Sequence, residues 1–217
     1  VSKKWYIYGA GGLGIETVDY LMDRLACAGE DDIACEFIDD NCTTDNRNGI
    51  PIVTLSDTVR GSKATIAVGE PSLRSVLYKR AKDAGLELSS IISPKAYVSS
   101  LSEIGEGTII APFCSVQATA SIGANVSVNT ASIIGHDVKI ERDCVISSMV
   151  NLGGGVKIGS GSFCGMGALI KEGVAVGSST IIGMGSVLHK DVPDDVIALG
   201  DPARVMRRNE KKSVFGK

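Results

Sequence analysis

From Val98 to Leu188 every sixth residue is aliphatic, with Cys164 the one departure. The position after it is glycine in eight of these hexads, at residues 105, 123, 135, 153, 159, 165, 177 and 183, and the fifth position is small or β-branched almost throughout. Helical faces repeat every ~3.6 residues and strand faces every ~2, so a strict period of six means a short strand plus a corner, recurring at fixed length. That is the signature of a solenoid, in which each turn buries its apolar side against its neighbours. An ordinary β-sandwich would show loops of varied length and slips of phase, and the hexads show neither. Three hexads per turn predict about five coils stacked at roughly 4.8 Å, a prism about 25 Å long. The period does not set the hand of the coil.

The N-terminal third follows a different pattern. Trp5-Tyr6-Ile7-Tyr8 reads as a buried strand and runs into Gly9-Ala10-Gly11-Gly12-Leu13-Gly14, then a helix-like stretch from Ile15 to Met22. A second strand is predicted over Ile33 to Ile38, ending in Asp39-Asp40. Further strands over Thr65 to Val68 and Ser90 to Ile92 bracket a helix from Ser72 to Ala84, giving a β-α-β-β-α-β-like half of a doubly wound sheet. Gly9-x-Gly11-x-x-Gly14 follows a strand, precedes a helix and has acids after the next strand. In that setting backbone N–H groups can meet a phosphate while a carboxylate takes sugar or base hydroxyls. About 95 residues supply only half of a dinucleotide fold, and no dehydrogenase domain follows, so a mononucleotide-sized ligand fits better than NAD. The alternative is that the glycines serve helix–strand packing alone.

Composition narrows the partners. Aromatics make up 5% of the chain, which suits a prism interior of stacked Ile and Val. A net charge of −3 gives no reason to expect nucleic acid or an anionic membrane surface. The sequence has no apolar run of membrane-spanning length and no signal-peptide core, so a cytoplasmic protein without membrane insertion is expected. Cys114 and Cys144 fall at fifth positions of their hexads and Cys164 at a first, as small buried hydrophobes would. Cys27, Cys35 and Cys42 form no C-x-x-C pair, so no metal site is expected and the thiols read as reduced.

The two halves together, a glycine-turn α/β unit and a run of [LIV]-G-x-x-x-x hexads, resemble the bacterial hexapeptide-repeat sugar acetyltransferases. These include the sialic acid O-acetyltransferases and the N-acetyltransferase of UDP-bacillosamine synthesis. The resemblance covers essentially the whole chain. It implies an α/β N-terminal Rossmann-like domain over residues 1–95, followed by a left-handed parallel β-helix over residues 96–217. It also implies acetyl-CoA as co-substrate, a UDP-amino-sugar as acceptor, a role in bacterial glycan biosynthesis, and a homotrimer with shared sites. On that resemblance Gly11, Gly12 and Leu13 line the UDP-sugar site, Asp39 and Asp40 stand at its uridine end, and Gly69 in the Val68-Gly69-Glu70 turn lies beside them. Gly154 would sit near the acetyl carbonyl, with Met166 and Met184 further along the groove on the pantetheine and nucleotide arm. Gly200-Asp201-Pro202-Ala203-Arg204 matches the G-x-P-A-[KR] ending of many such enzymes, and Arg204, Arg207 and Arg208 could pair with CoA phosphates. The chain departs from the pattern at Leu13 and Val145, where relatives carry His.

The chain holds two histidines. His136 lies in an N-T-x-x-x-x-x-H-[DE] segment, Asn129 to Asp137, which in this family carries the catalytic base. Asp137 would be the acidic neighbour that strengthens it. His189 falls late in the repeat and reads as a surface residue. The resulting expectation is direct attack of a sugar amine on the thioester, with His136 taking a proton and a backbone N–H stabilising the oxyanion. A γ-class carbonic anhydrase shares the prism but needs three zinc-binding histidines, and two cannot supply them. O-acetylation of a sialic acid or related sugar, and a non-catalytic trimeric sugar-nucleotide scaffold, remain as alternatives.

Overall fold

The computed structural model describes residues 4–30 and 33–215. The N-terminal unit is a six-stranded sheet with the order β3-β4-β2-β1-β5-β6. Its strands are β1 (Lys4–Tyr8), β2 (Ala34–Ile38), β3 (Asn46–Arg47), β4 (Ile50–Val53), β5 (Lys63–Ile66) and β6 (Glu87–Leu88), with helices α1 (Gly12–Ala28) and α2 (Pro71–Asp83). β1 runs parallel to both β2 and β5, so the ends of three strands and the start of α1 meet at one sheet edge. α1 buries Val18, Leu21 and Leu25 at helical spacing and stops at Gly29, whose αL backbone (φ 68°) lets its N–H reach the Ala26 and Leu25 carbonyls. α2 opens on Pro71, which has no N–H to leave unpaired, and carries Arg80 and Lys82 in its last turn.

One expected strand belongs elsewhere. Ile91–Ile92 does not complete the N-terminal sheet; it pairs with Ile109–Ile110 as the first rung of the solenoid, and the sheet ends on β6 instead. Ile91 is fully buried because the N-terminal unit covers it: it packs with Trp5, Ile7, Leu21 and Ile109. Apolar residues on both faces made this rung look like a strand of a doubly covered sheet.

The hexads coil as a parallel β-helix in which each residue pairs with the one eighteen positions on, as in Ile110 with Val128, Val128 with Ile146 and Ile146 with Cys164. The first face runs from Ile91–Ile92 to Ile181–Ile182 and is extended by the hairpin Val196–Gly200 and Ala203–Arg208. The second face runs from Tyr97–Val98 to Val187–Leu188, and the third from Glu103–Ile104 to Ala175–Val176. Cys164 and its aliphatic equivalents point inward into one core.

The corners explain the fixed period. The fourth residue of every hexad from Gly107 to Gly185 has a positive φ, between 51° and 74°, so each corner is the same left-handed kink. The fifth residue is then buried with room for one small group. Thr108 and Ser132 donate their hydroxyls from this position to the carbonyls of Gly123 and Ser147, fifteen residues on. Cys114 and Cys144 aim their thiols in the same way at Asn129 and Gly159. Burial pushes the Cys144 thiol up to about 12.

The N-terminal unit is locked to the first face and its adjoining corner. Arg74 of α2 is fully buried and donates to the Ile66 and Val68 carbonyls on one side and to the Asn125 carbonyl and side chain on the other. Asn125 in turn donates to Asp143, which also accepts from Arg142. The outer side of the second face leaves Tyr97, Ile133 and Leu169 exposed, alternating with Ser115 and Asn151, whereas that of the third face carries Glu103, Lys139 and Lys157. Among the described residues no helix is long and apolar enough to cross a membrane.

Candidate active site

His136 and Asp137 occupy the corner between the second and third faces. Asp137 takes the αL position of its hexad (φ 59°), and this kink turns its carboxylate back onto the preceding residue. Asp137 Oδ2 lies 2.8 Å from His136 Nδ1, and its Oδ1 accepts the Thr119 hydroxyl at 2.6 Å. Thr119 is the residue one coil below Asp137, so the column of the repeat supplies the group that orients the carboxylate. The Thr119 hydrogen bond, then that of His136, holds the Asp137 carboxyl below its ordinary value. With Nδ1 donating to Asp137, Nε2 is the free, proton-accepting nitrogen.

Gly154 is one coil above His136, and the imidazole lies directly over it. A Cβ on Gly154 would sit 2.5 Å from Nε2 and 2.6 Å from Cε1. The neighbouring Gly155 N–H donates to the His136 carbonyl and the Gly153 N–H to the Ile170 carbonyl. Beside this corner a groove of about 620 Å³ runs along the second face, lined by Gln117, Gly135, Gly154, Lys171 and His189 among others. His189 is exposed as expected, yet it borders the same groove as the glycine beneath His136. Sequence reasoning did not single out Thr119, Gln117 and Lys171; counting in steps of eighteen from residues 135 and 137 finds all three.

The second group of residues surrounds the β1–α1 turn. Gly9 (φ 113°) and Gly14 are required by packing, since a Cβ on Gly14 would fall 2.0 Å from the Gly9 carbonyl oxygen. Gly11 and Gly12 are exposed, and among the described residues a Cβ on either would meet nothing within 4 Å. Asp39 stands beside this turn, accepting the Ala10 N–H at 3.4 Å and the Asn41 N–H at 3.1 Å. Leu13 is half-buried and packs into the core beneath α1. Asp40 points into a structural network. Its Oδ2 accepts from the Tyr8 hydroxyl (2.9 Å) and Arg80 (2.7 Å), and its Oδ1 accepts the Leu55 N–H (2.8 Å). Partial burial works against ionisation there, but the Leu55, Tyr8 and Arg80 contacts outweigh it and hold the carboxyl below its ordinary value. Gly69 lies half-buried just beyond β5, following Ala67 and Val68, which pack against Gly9 of this turn.

Met166 and Met184 lie at a different corner, between the first and second faces, and both are exposed. The groove beside Gly154 therefore does not lead to them along one side of this chain; the whole second face intervenes. The glycine turn is on the methionine side. α1 meets the first coil near its C-terminal end, through Arg24 to the Ser90 carbonyl and Asp23 to Lys95, and Tyr20 reaches Thr130. At ~1.5 Å per residue against ~4.8 Å per coil, its first turn points toward the later coils of that corner. Val145 is buried on the first face. Arg204, Arg207 and Arg208 are on the exposed C-terminal hairpin. Among the described residues no group of three or more His, Cys, Asp or Glu is placed to hold a metal ion.

Residues 4–81 match the model of the PglD N-terminal domain. The acetyltransferase domain of PglB from Neisseria gonorrhoeae is 31% identical over 94% of this chain and 100% of that domain, with a TM-score of 0.85. The chain belongs to the PglD-like sugar acetyltransferases. Another structure of the PglB domain holds acetyl coenzyme A. PerB from Caulobacter crescentus, solved with CoA and GDP-perosamine, is 29% identical over 94% of this chain and 97% of its own, with a TM-score of 0.82. A GDP-perosamine N-acetyltransferase from Escherichia coli O157:H7 is 29% identical over 212 residues, covering 94% of this chain and 96% of the relative. These alignments run across both halves, so the PglD-like pairing of an α/β unit with a β-helix extends over the chain.

Proposed function

We propose that this PglD-like chain moves an acetyl group from acetyl-CoA to the amine of a nucleotide-linked 4-amino-4,6-dideoxy sugar, with His136 as general base. The observation that carries the reading is the corner itself: an imidazole held through Nδ1 by an anchored carboxylate, its Nε2 exposed above a glycine that leaves no side chain in the way. In the proposed reaction the sugar amine attacks the thioester carbonyl and His136 Nε2 takes the ammonium proton. The Gly154 N–H stabilises the oxyanion, its two neighbours being engaged elsewhere. Collapse expels the CoA thiolate and leaves an amide. No acyl-enzyme is needed. The cytoplasm is the compartment that suits an enzyme working on acetyl-CoA and a sugar nucleotide.

The acceptor belongs at the β1–α1 turn. Gly11 and Gly12 have no packing reason to lack a side chain, so backbone approach to a diphosphate is the reading we give them, with Asp39 and Gly69 alongside. Acetyl-CoA belongs against Met166 and Met184. Because these groups share one side of the chain while His136 occupies the far corner of the second face, we infer that each site forms between two copies. One copy contributes His136 and Gly154; the other contributes the glycine turn and the methionines. The exposed Tyr97, Ile133 and Leu169 on the second face give such copies an apolar surface to bury, and a closed trimer joins three like sites.

For the nucleotide, UDP is the acceptor base implied by the family of UDP-bacillosamine synthesis. GDP is the second reading, favoured by the full-length similarity to enzymes named for GDP-perosamine. Free-thiol release from acetyl-CoA should be followed with UDP- and GDP-linked 4-amino-4,6-dideoxy sugars and with CMP-sialic acid. N-acetylation requires thiol release with one of the amino sugars and a product whose acetyl group survives mild base. A base-labile ester would overturn the amine assignment, and no turnover of any acceptor would favour a binding scaffold.

A further inference from the structure

The end of the described chain folds back onto the turn that carries Gly69. Glu70 Oε2 accepts three hydrogen bonds from it: the Val214 N–H at 2.9 Å, the Ser213 hydroxyl at 3.1 Å and the Phe215 N–H at 3.2 Å. The other carboxylate oxygen accepts the Ser72 hydroxyl at 3.3 Å. Donors more than 140 positions away in sequence thus converge on one oxygen at the start of α2, which pins the segment at a single place. Phe215 stands edge-on to Phe163 of the first face, ring centroids 5.9 Å apart and planes at 83°. Among the described residues it also supplies the atom that a Cβ on Gly69 would meet within 4 Å, at 3.8 Å.

Despite these contacts Phe215 is 61% exposed. An aromatic ring fixed in place but left uncovered, beside the Gly69 turn and against Phe163 of the first face, presents an apolar surface to whatever binds at that turn. We propose that Phe215, backed by Phe163 and held by Glu70, is a specificity-determining residue that walls the hexose portion of the sugar nucleotide. The inference rests on the reading that the Gly11–Gly12 turn and Gly69 hold that substrate. The chemistry fits a deoxy sugar. Its C–H face and methyl group gain from an aromatic wall, whereas a diphosphate gains nothing from one. The ring therefore separates recognition of the sugar from recognition of the nucleotide.

The test is Phe215→Ala in the full chain, a change at an exposed position that leaves the core untouched. Titration calorimetry with free UDP and GDP, and steady-state KM for the amino-sugar nucleotide that is turned over, read the two parts separately. We expect the nucleoside diphosphate Kd and the KM for acetyl-CoA to stay within about twofold, and the KM for the sugar nucleotide to rise roughly tenfold, with partial rescue in Phe215→Leu. Glu70→Gln, which weakens the anchor, should shift the same KM in the same direction by less. An unchanged sugar-nucleotide KM, or an equal loss of nucleoside diphosphate affinity, would overturn the proposal. Gly11→Val serves as the reference: if it leaves nucleoside diphosphate binding intact, the location of the nucleotide is wrong, whatever Phe215 does.

Discussion

Glycine does different work in the two halves of this molecule. In the β-helix, Gly135 is demanded from within, because a Cβ there would sit 2.7 Å from the Leu152 carbonyl oxygen and 2.9 Å from the Gly154 nitrogen of the next coil. In the β1–α1 turn, Gly11 and Gly12 face open space, and among the described residues nothing stands within 4 Å of where a Cβ would be. Where neighbouring backbone requires the glycine, it reports architecture; Gly11 and Gly12 have neither a close neighbour nor a positive φ, which is why the acceptor is proposed to approach there. Gly154 stands between the two cases. Its missing Cβ makes room for the ring of His136, the proposed general base.

The comparison can be broken by substitution, starting with the largest effect. His136→Ala should lower kcat by ~10²–10⁴-fold with little change in the KM for acetyl-CoA, the usual loss on removing a general base, as measured by thiol release. Gly154→Ala comes next. Its methyl must displace the imidazole, so kcat should fall by roughly 10²-fold while the melting temperature barely moves, a signature of misplaced rather than missing chemistry. Full activity in that variant would mean that the ring does not work from over Gly154.

The two remaining glycine changes should separate in opposite ways. Gly11→Val should leave the melting temperature within a degree or so, yet raise the KM for the sugar nucleotide by roughly tenfold or more, because its side chain occupies the approach to the backbone. Gly135→Ala should cost about 1–3 kcal/mol of stability, visible as a fall of several degrees in thermal unfolding. If Gly11→Val were the destabilising change, the turn's glycines would be structural after all.

The smallest effect concerns Asp40, whose network is structural. Its carboxyl titrates below the ordinary value in the folded chain, so its stabilisation is present at pH values above the ordinary carboxylate range. It is lost as pH falls through the lowered folded value. Asp40→Asn should therefore lower stability near neutral pH, and the gap to the parent should close on acidification in denaturant titrations. A gap that widened in acid would contradict the network.

Much of the fold was legible because the hexad is local: six residues specify strand, kink and inward aliphatic, and the eighteen-residue register follows. The same register makes Gly154 and Thr119 neighbours of the His136–Asp137 pair, and it sets Met166 and Met184 at another corner of the same chain. What stayed hidden depends on pairing between distant segments. The resemblance implies Asp40 at the uridine end, and in the fold its Oδ2 accepts hydrogen bonds from Arg80, forty residues away, and from Tyr8, partners that the sequence does not announce. Ile91 looked like part of the α/β sheet because burial by α1 gives it the pattern of a doubly covered strand. The anchoring of residues 213–215 on Glu70 has no sequence signal at all.

The central claim is that the base and the glycine turn act from different copies of the chain. It is tested most directly by mixing two impaired proteins, His136→Ala and Gly11→Val, through co-expression or unfolding and refolding together, and assaying the purified mixed oligomers at a sugar-nucleotide concentration well below the parent KM, where Gly11→Val keeps roughly a tenth of the parent rate or less. If each site takes its base from one copy and its turn from the next, random assembly leaves about a quarter of the sites with both halves intact, and thiol release should recover to about that fraction of the parent rate. Mixed oligomers of verified composition that are no more active than the average of the two variants measured alone would place both halves of the site in the same copy and contradict the account.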